Sequence, residues 1–121
     1  ASFVILGDLN ADPDEGRAIG NAIANLLSAN RNNGSFVPIA TQSGIDAYPE
    51  LDPDDTAEWG LRVDYVLPSS DLEVLAGGVW RRIGNGVSAS DHFPVFLDIV
   101  VPAAGARPPG SAAPQTSVDE N

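Results

Sequence analysis

Residues 3–6, Phe-Val-Ile-Leu, form an unbroken apolar run stopped by Gly7-Asp8, and no other feature constrains the fold of this chain as tightly. A strand with one face in water alternates apolar and polar residues. A continuous run of this length reads instead as a short strand covered on both faces. The Gly7-Asp8-Leu9-Asn10 that follows is then the loop leaving the strand's C-terminal end, the edge where α/β folds collect reactive groups. A chain opening on such a strand is expected to have neighbouring strands upstream. The 121 residues, which contain no Met, are therefore expected to be cut from a longer polypeptide.

Downstream, polar residues 10–15 form a turn. A helix is expected over 16–29, where Ile19, Ala22, Ile23, Leu26 and Leu27 recur at helical spacing. Asp14 and Glu15 place negative charge at its start, which the helix dipole favours. Residues 35–60 carry Pro38, Gly44, Pro49 and Pro53 and are expected to be irregular, with 50–58 a solvated acidic loop. Residues 61–67 alternate, with Leu61, Val63, Tyr65 and Leu67 facing one way and Arg62, Asp64 and Val66 the other, and read as a strand. Residues 72–76 and 79–83 read as two strands joined by a tight Gly77-Gly78 turn. Residues 94–101 read as the last strand, with Val95, Leu97, Ile99 and Val101 on one face. Residues 102–121, rich in Pro, Ala, Gly and Ser, read as a disordered tail or linker. The class is α/β (α+β).

Charge narrows the functions. Seventeen acidic residues against six basic ones, all Arg, give a net charge of −11. That balance opposes sequence-independent nucleic-acid binding by this stretch alone, because such binding runs on Lys and Arg contacts to phosphate. No run approaches the roughly 18 apolar residues of a membrane span, and no signal-peptide pattern appears in these residues. The lack of Cys removes disulfides, thiolate zinc sites and Cys nucleophiles.

Reactive side chains gather in Gly7-Asp8-Leu9-Asn10, Arg62-Val63-Asp64-Tyr65, Ser90-Asp91-His92 and the acidic loop. Each has a plain structural reading. Asp8 and Asn10 can hold a turn through backbone hydrogen bonds, Asp64 can pair with Arg62 on an exposed face, and the lone His92 can be structural. Together they suit phosphoryl transfer. Asp8 and Asp91 offer carboxylates to a hard divalent cation, and Asn10 offers an amide donor to a phosphate oxygen. His92 can donate or shuttle a proton near neutral pH. A buried carboxylate at Asp64 can fix its tautomer. A competing reading takes Asp8-Leu9-Asn10-Ala11-Asp12 as the start of a calcium loop, but Pro13 stands where Gly is required and Ile19 where a carboxylate is required. No G-x-S-x-G nucleophile motif competes.

In their order along the chain, three of these motifs resemble the endonuclease/exonuclease/phosphatase superfamily, whose members share the DNase-like fold. Gly7-Asp8-Leu9-Asn10 is similar to its G-D-x-N motif, and residues 62–67 to its R-x-D-Y-x-L strand. Ser90-Asp91-His92-Phe93-Pro94-Val95 is similar to its closing S-D-H-x-P-V. The similarity spans residues 2–101, and the wording around Asp8 and in the acidic loop resembles a secreted bacterial branch. The resemblance implies that residues 1–101 are the C-terminal half of a four-layer α/β/β/α sandwich with mixed, largely antiparallel sheets. It implies hydrolysis of phosphodiesters or phosphomonoesters, with nucleic acid or nucleotides among the substrates, using Mg2+ or Mn2+ and in some members Ca2+. By position, Asp8 would activate the attacking water, Asn10 and His92 would contact the phosphate, and Asp91 with Asp8 would hold the metal. His92 would act in acid–base or charge-stabilising roles, and Asp64 would orient it. An upstream half would supply an Asn and a metal-binding Glu, leaving this piece inactive or weak alone. The alternative is a non-catalytic acidic half-domain that binds Ca2+ or a protein partner.

Overall fold

The computed structural model describes residues 1–14, 21–84, 86 and 88–103. Its elements run β1 (Val4–Asp8), α1 (Ala22–Ser28), α2 (Gln42–Ala47), β2 (Asp64–Pro68), β3 (Val74–Val79) and β4 (Val95–Ile99). Strand β1 pairs antiparallel with β2, and β3 with β4, giving two two-stranded sheets among the described residues. This is an α/β arrangement with antiparallel strands. No helix of the described residues is long and apolar enough to cross a membrane.

The first core forms where α1 meets the β1–β2 pair. Ile23, Tyr65 and Leu67 are buried, with Ile5, Leu9, Leu26 and Leu27 packed around them. Two-residue periodicity sends alternate side chains to opposite faces. Ile5 therefore joins this core, while Val4 and Leu6 remain 37% and 70% exposed. Among the described residues, the strand expected at 3–6 is thus covered on one face only. The helix expected over 16–29 is present from Ala22 to Ser28, and residues 15–20 lie outside the described residues.

A second core joins Leu51, Val79 and Phe93, with Tyr48 edge-on to Phe93 at 5.1 Å between ring centres. It overturns two expectations. The stretch 35–60 is not wholly irregular, because it contains α2, capped by Thr41 Oγ1 accepting the Gly44 N–H at 3.2 Å. Gly44 is no breaker there: a Cβ on it would lie 3.3 Å from the side chains of Ala40 and Arg81, so the residue permits close packing. Nor is 50–58 a solvated loop, since Leu51, Asp55, Thr56 and Ala57 are buried. Its carbonyls have a partner inside: buried Arg81 donates from Nη2 to the carbonyl oxygens of Asp52 and Asp55. The energetic reason is that a buried cation must be hydrogen-bonded.

The hairpin turn expected at Gly77-Gly78 is also corrected. Both glycines lie inside β3, opposite Leu97 and Phe96 of β4. A Cβ on Gly77 would sit 2.8 Å from the Phe96 carbonyl oxygen and 2.9 Å from the Phe36 ring. The glycines therefore admit neighbours that lie over the strand, one of the two meanings of Gly within a sheet. Residues 80–83, expected to be a strand, carry none. Strand β2 begins at Asp64, three residues later than expected, because Leu61 instead bridges back to Ala57. The tail expected at 102–121 lies beyond the described residues from 104 onward.

Candidate active site

The last residue of β1 and the first of β2 are both Asp, and the antiparallel register sets Asp8 directly opposite Asp64. Like charges facing each other across a strand pair repel, so this end of the sheet favours a positive group. His92, arriving from the turn before β4, lies between them. Its Nδ1 is 2.7 Å from Asp64 Oδ2, and its Nε2 is 3.9 Å from Asp8 Oδ2. An Nδ1–H donated to Asp64 fixes the ring with Nε2 toward Asp8. The indole of Trp59 meets the imidazole edge to face, 4.9 Å between centres at 83°.

The hydrogen bond to Asp64 holds the His92 pKa above its ordinary 6.5. The charges of Asp64, Asp8 and Asp91 add to it, and partial desolvation works against it. A raised value in the folded chain means that the folded state binds the proton more tightly than the unfolded chain does. The stability His92 contributes is fully present below about pH 6.5, and it drains away as pH rises through the higher folded value. Urea midpoints of the metal-free chain are therefore expected to fall from pH 6 to about pH 8, and the Asp64→Asn variant to lose that slope. A flat profile in the parent chain would contradict the geometry.

The loop after β1 is shaped by Asn10 and tied to β2 by Tyr65 and Asp12, to which the sequence reading gave no such role. Asn10 adopts φ +51°, a left-handed conformation that Asn tolerates, and its N–H donates to Asp8 Oδ1 at 2.8 Å. That bond occupies one Asp8 oxygen while the other faces His92. The Tyr65 hydroxyl lies within donating distance of the Ala11 and Arg62 carbonyls, at 2.6 and 2.9 Å. Burial pushes its pKa well above the ordinary phenol range, so it stays a neutral donor. The buried Asp12 carboxylate accepts the backbone N–H groups of Arg62 and Asp14 at 2.6 and 2.8 Å. The signal for Tyr65 lay in the motif beside Asp64; Asp12 looked like one more turn carboxylate.

Asp8, Asp64 and His92 each bring one ligand atom within 4.8 Å of the others. Two carboxylates and an imidazole form a donor set suited to a divalent cation. Asp91 is exposed and outside this group, and its carbonyl accepts the Glu58 N–H at 2.9 Å. The Asn10 side chain is also exposed. A cleft of about 380 Å3 opens over the cluster, walled by Leu6, Tyr65, Val66 and Pro94.

The family model described as the endonuclease/exonuclease/phosphatase family matches residues 1–92. No curated protein and no solved structure matches the chain.

Proposed function

Since this chain belongs to the endonuclease/exonuclease/phosphatase family, we propose that it forms the Asp8–Asp64–His92 part of the catalytic centre of a divalent-metal-dependent phosphoesterase. The family is hydrolytic, acts on phosphoesters or nucleic acids, and is typically dependent on divalent metal. The observation that carries the reading is His92 held by Asp64 at 2.7 Å and turned toward the opposed carboxylate of Asp8.

Each residue has work that its chemistry can do. Asp64 holds the tautomer and supports positive charge on His92. His92 Nε2 contacts a phosphoryl oxygen and takes up or returns a proton as charge builds there. Asp8, at the loop edge, accepts the proton of the attacking water as the water oxygen bonds to phosphorus, while the P–O ester bond breaks and the departing alkoxide takes a proton from His92 Nε2. Asn10, on the turn beside Asp8, donates its amide to the phosphate. Asp8 would hold Mg2+ or Mn2+, which would supply Lewis-acid stabilisation of the phosphoryl charge, and Asp91, outside the Asp8–Asp64–His92 group, is not assigned to the metal.

Residues 1–101 form part of a domain whose other half is further polypeptide upstream. In support, Leu6, Leu75 and Phe96 are between 49% and 70% exposed on the two small sheets. Two-stranded sheets with open apolar faces need cover to be stable. The test is hydrolysis of an aryl phosphodiester by the parent polypeptide with Mg2+ or Mn2+. Activity is expected to vanish with excess chelator and return when metal is restored. Full activity in the chelator would sink the reading.

A further inference from the structure

Asp64 and His92 belong to different sheets: Asp64 opens β2, and His92 lies in the turn before β4. Among the described residues no strand pairing links β2 to β4, so the 2.7 Å contact is not set by sheet register. The turn at 55–61 spans that gap, and Thr56 lies near its start with 1% of its surface exposed. Its Oγ1 accepts two backbone N–H groups, from Val63 at 2.9 Å and from Asp64 itself at 3.0 Å. Its carbonyl accepts the N–H of Phe93, the residue after His92, at 2.7 Å. Its own N–H donates to the Leu61 carbonyl at 3.0 Å, closing the turn. The next residue, Ala57, forms a bridge with His92, and the Glu58 N–H donates to the Asp91 carbonyl.

We propose that Thr56 is the positioning residue of the Asp64–His92 pair, its hydroxyl setting the start of β2 and its carbonyl setting the backbone beside the imidazole. The inference rests on the reading of that pair given above and deepens it. A hydroxyl oxygen has two lone pairs, and here one faces a buried donor and the other a part-buried one. Valine has the same shape and no acceptor, so Thr56→Val leaves both N–H groups without their partner, the Val63 N–H away from water. The start of β2 must then shift to find new partners, and the Asp64 carboxylate shifts with it. Serine keeps the acceptor.

The test uses NMR on the whole metal-free chain, in which His92 is the only His, so one imidazole signal set reports the pair. With the ring neutral, the parent is expected to show the Nδ1–H tautomer. Thr56→Val is expected to revert to the Nε2–H form preferred by free imidazole, and the Val63 and Asp64 amides to exchange about tenfold faster or more. Thr56→Ser is expected to restore both. An Nδ1–H tautomer that survives in folded Thr56→Val overturns the positioning role alone, as does a Ser variant that fails to restore it. Should the Val variant not fold, the parent decides: Val63 and Asp64 amides exchanging at unprotected rates overturn the role. A parent ring in the Nε2–H form, with those amides protected, overturns the Asp64–His92 pair and the role of Thr56 together.

Discussion

Replacing His92 by Ala is expected to lower kcat/KM for phosphodiester hydrolysis by about 10²- to 10⁴-fold, the range that a positioned acid–base group supplies. The loss should be chemical and not structural, because the ring makes its contacts at the edge of the fold. Its side chain is 29% exposed, and it belongs to neither hydrophobic core. What disappears is the group that Asp64 orients and that faces Asp8 across 3.9 Å. Asp8→Ala should fall in the same range, since the water's proton loses its acceptor. The measurement belongs in the parent polypeptide at saturating Mg2+ or Mn2+, with amide spectra confirming an intact fold. A rate unchanged by either substitution removes this cluster from the chemistry.

Leu67→Ala is expected to cost about 2–5 kcal/mol of unfolding free energy, read from urea or thermal denaturation of the chain. Leu67 is fully buried, paired with Ile5 in register and packed with Ile23 and Tyr65. Removing its isopropyl group leaves a cavity between the β1–β2 pair and α1 that neither can close without moving the other. Leu6→Ala is the informative contrast. Leu6 is one position from Ile5 on the same strand, yet it is 70% exposed. Its truncation should stay within about 0.5 kcal/mol. A Leu6→Ala loss as large as that of Leu67→Ala would mean that the open face of β1 is covered in solution.

The placement of the candidate site residues at strand ends and turns was largely legible in the sequence because the motifs that carry them are local. An apolar strand ending in Gly-Asp puts Asp8 and Asn10 at a strand end whatever lies beyond. The alternation at Leu61, Val63, Tyr65 and Leu67 correctly picked out buried residues, which are 8%, 0%, 1% and 0% exposed. The errors came where a residue's role depends on a distant neighbour. Gly77 and Gly78 look like a turn until Leu97, Phe96 and Phe36 are seen lying against them. Thr56 looks like one polar residue among carboxylates until Val63 and Asp64 converge on its hydroxyl. Arg81 looks like a surface charge until the carbonyls of Asp52 and Asp55 are found around it.

The sequence by itself determined which elements carry Asp8, Asn10, Asp64 and His92, because strand ends and turns follow from short-range apolar periodicity and breakers. Only the tertiary structure decided that Asp8 and Asp64 face each other, that His92 lies between them and that Asp91 lies apart. Those facts depend on register and on the strap at 55–61, and a register shift of one residue would turn every side chain of the strand to the other face. The 28-position separation of Asp64 and His92 carries no periodic record of which lone pair meets which proton. That is settled where separately paired strands are tied together through buried hydrogen bonds.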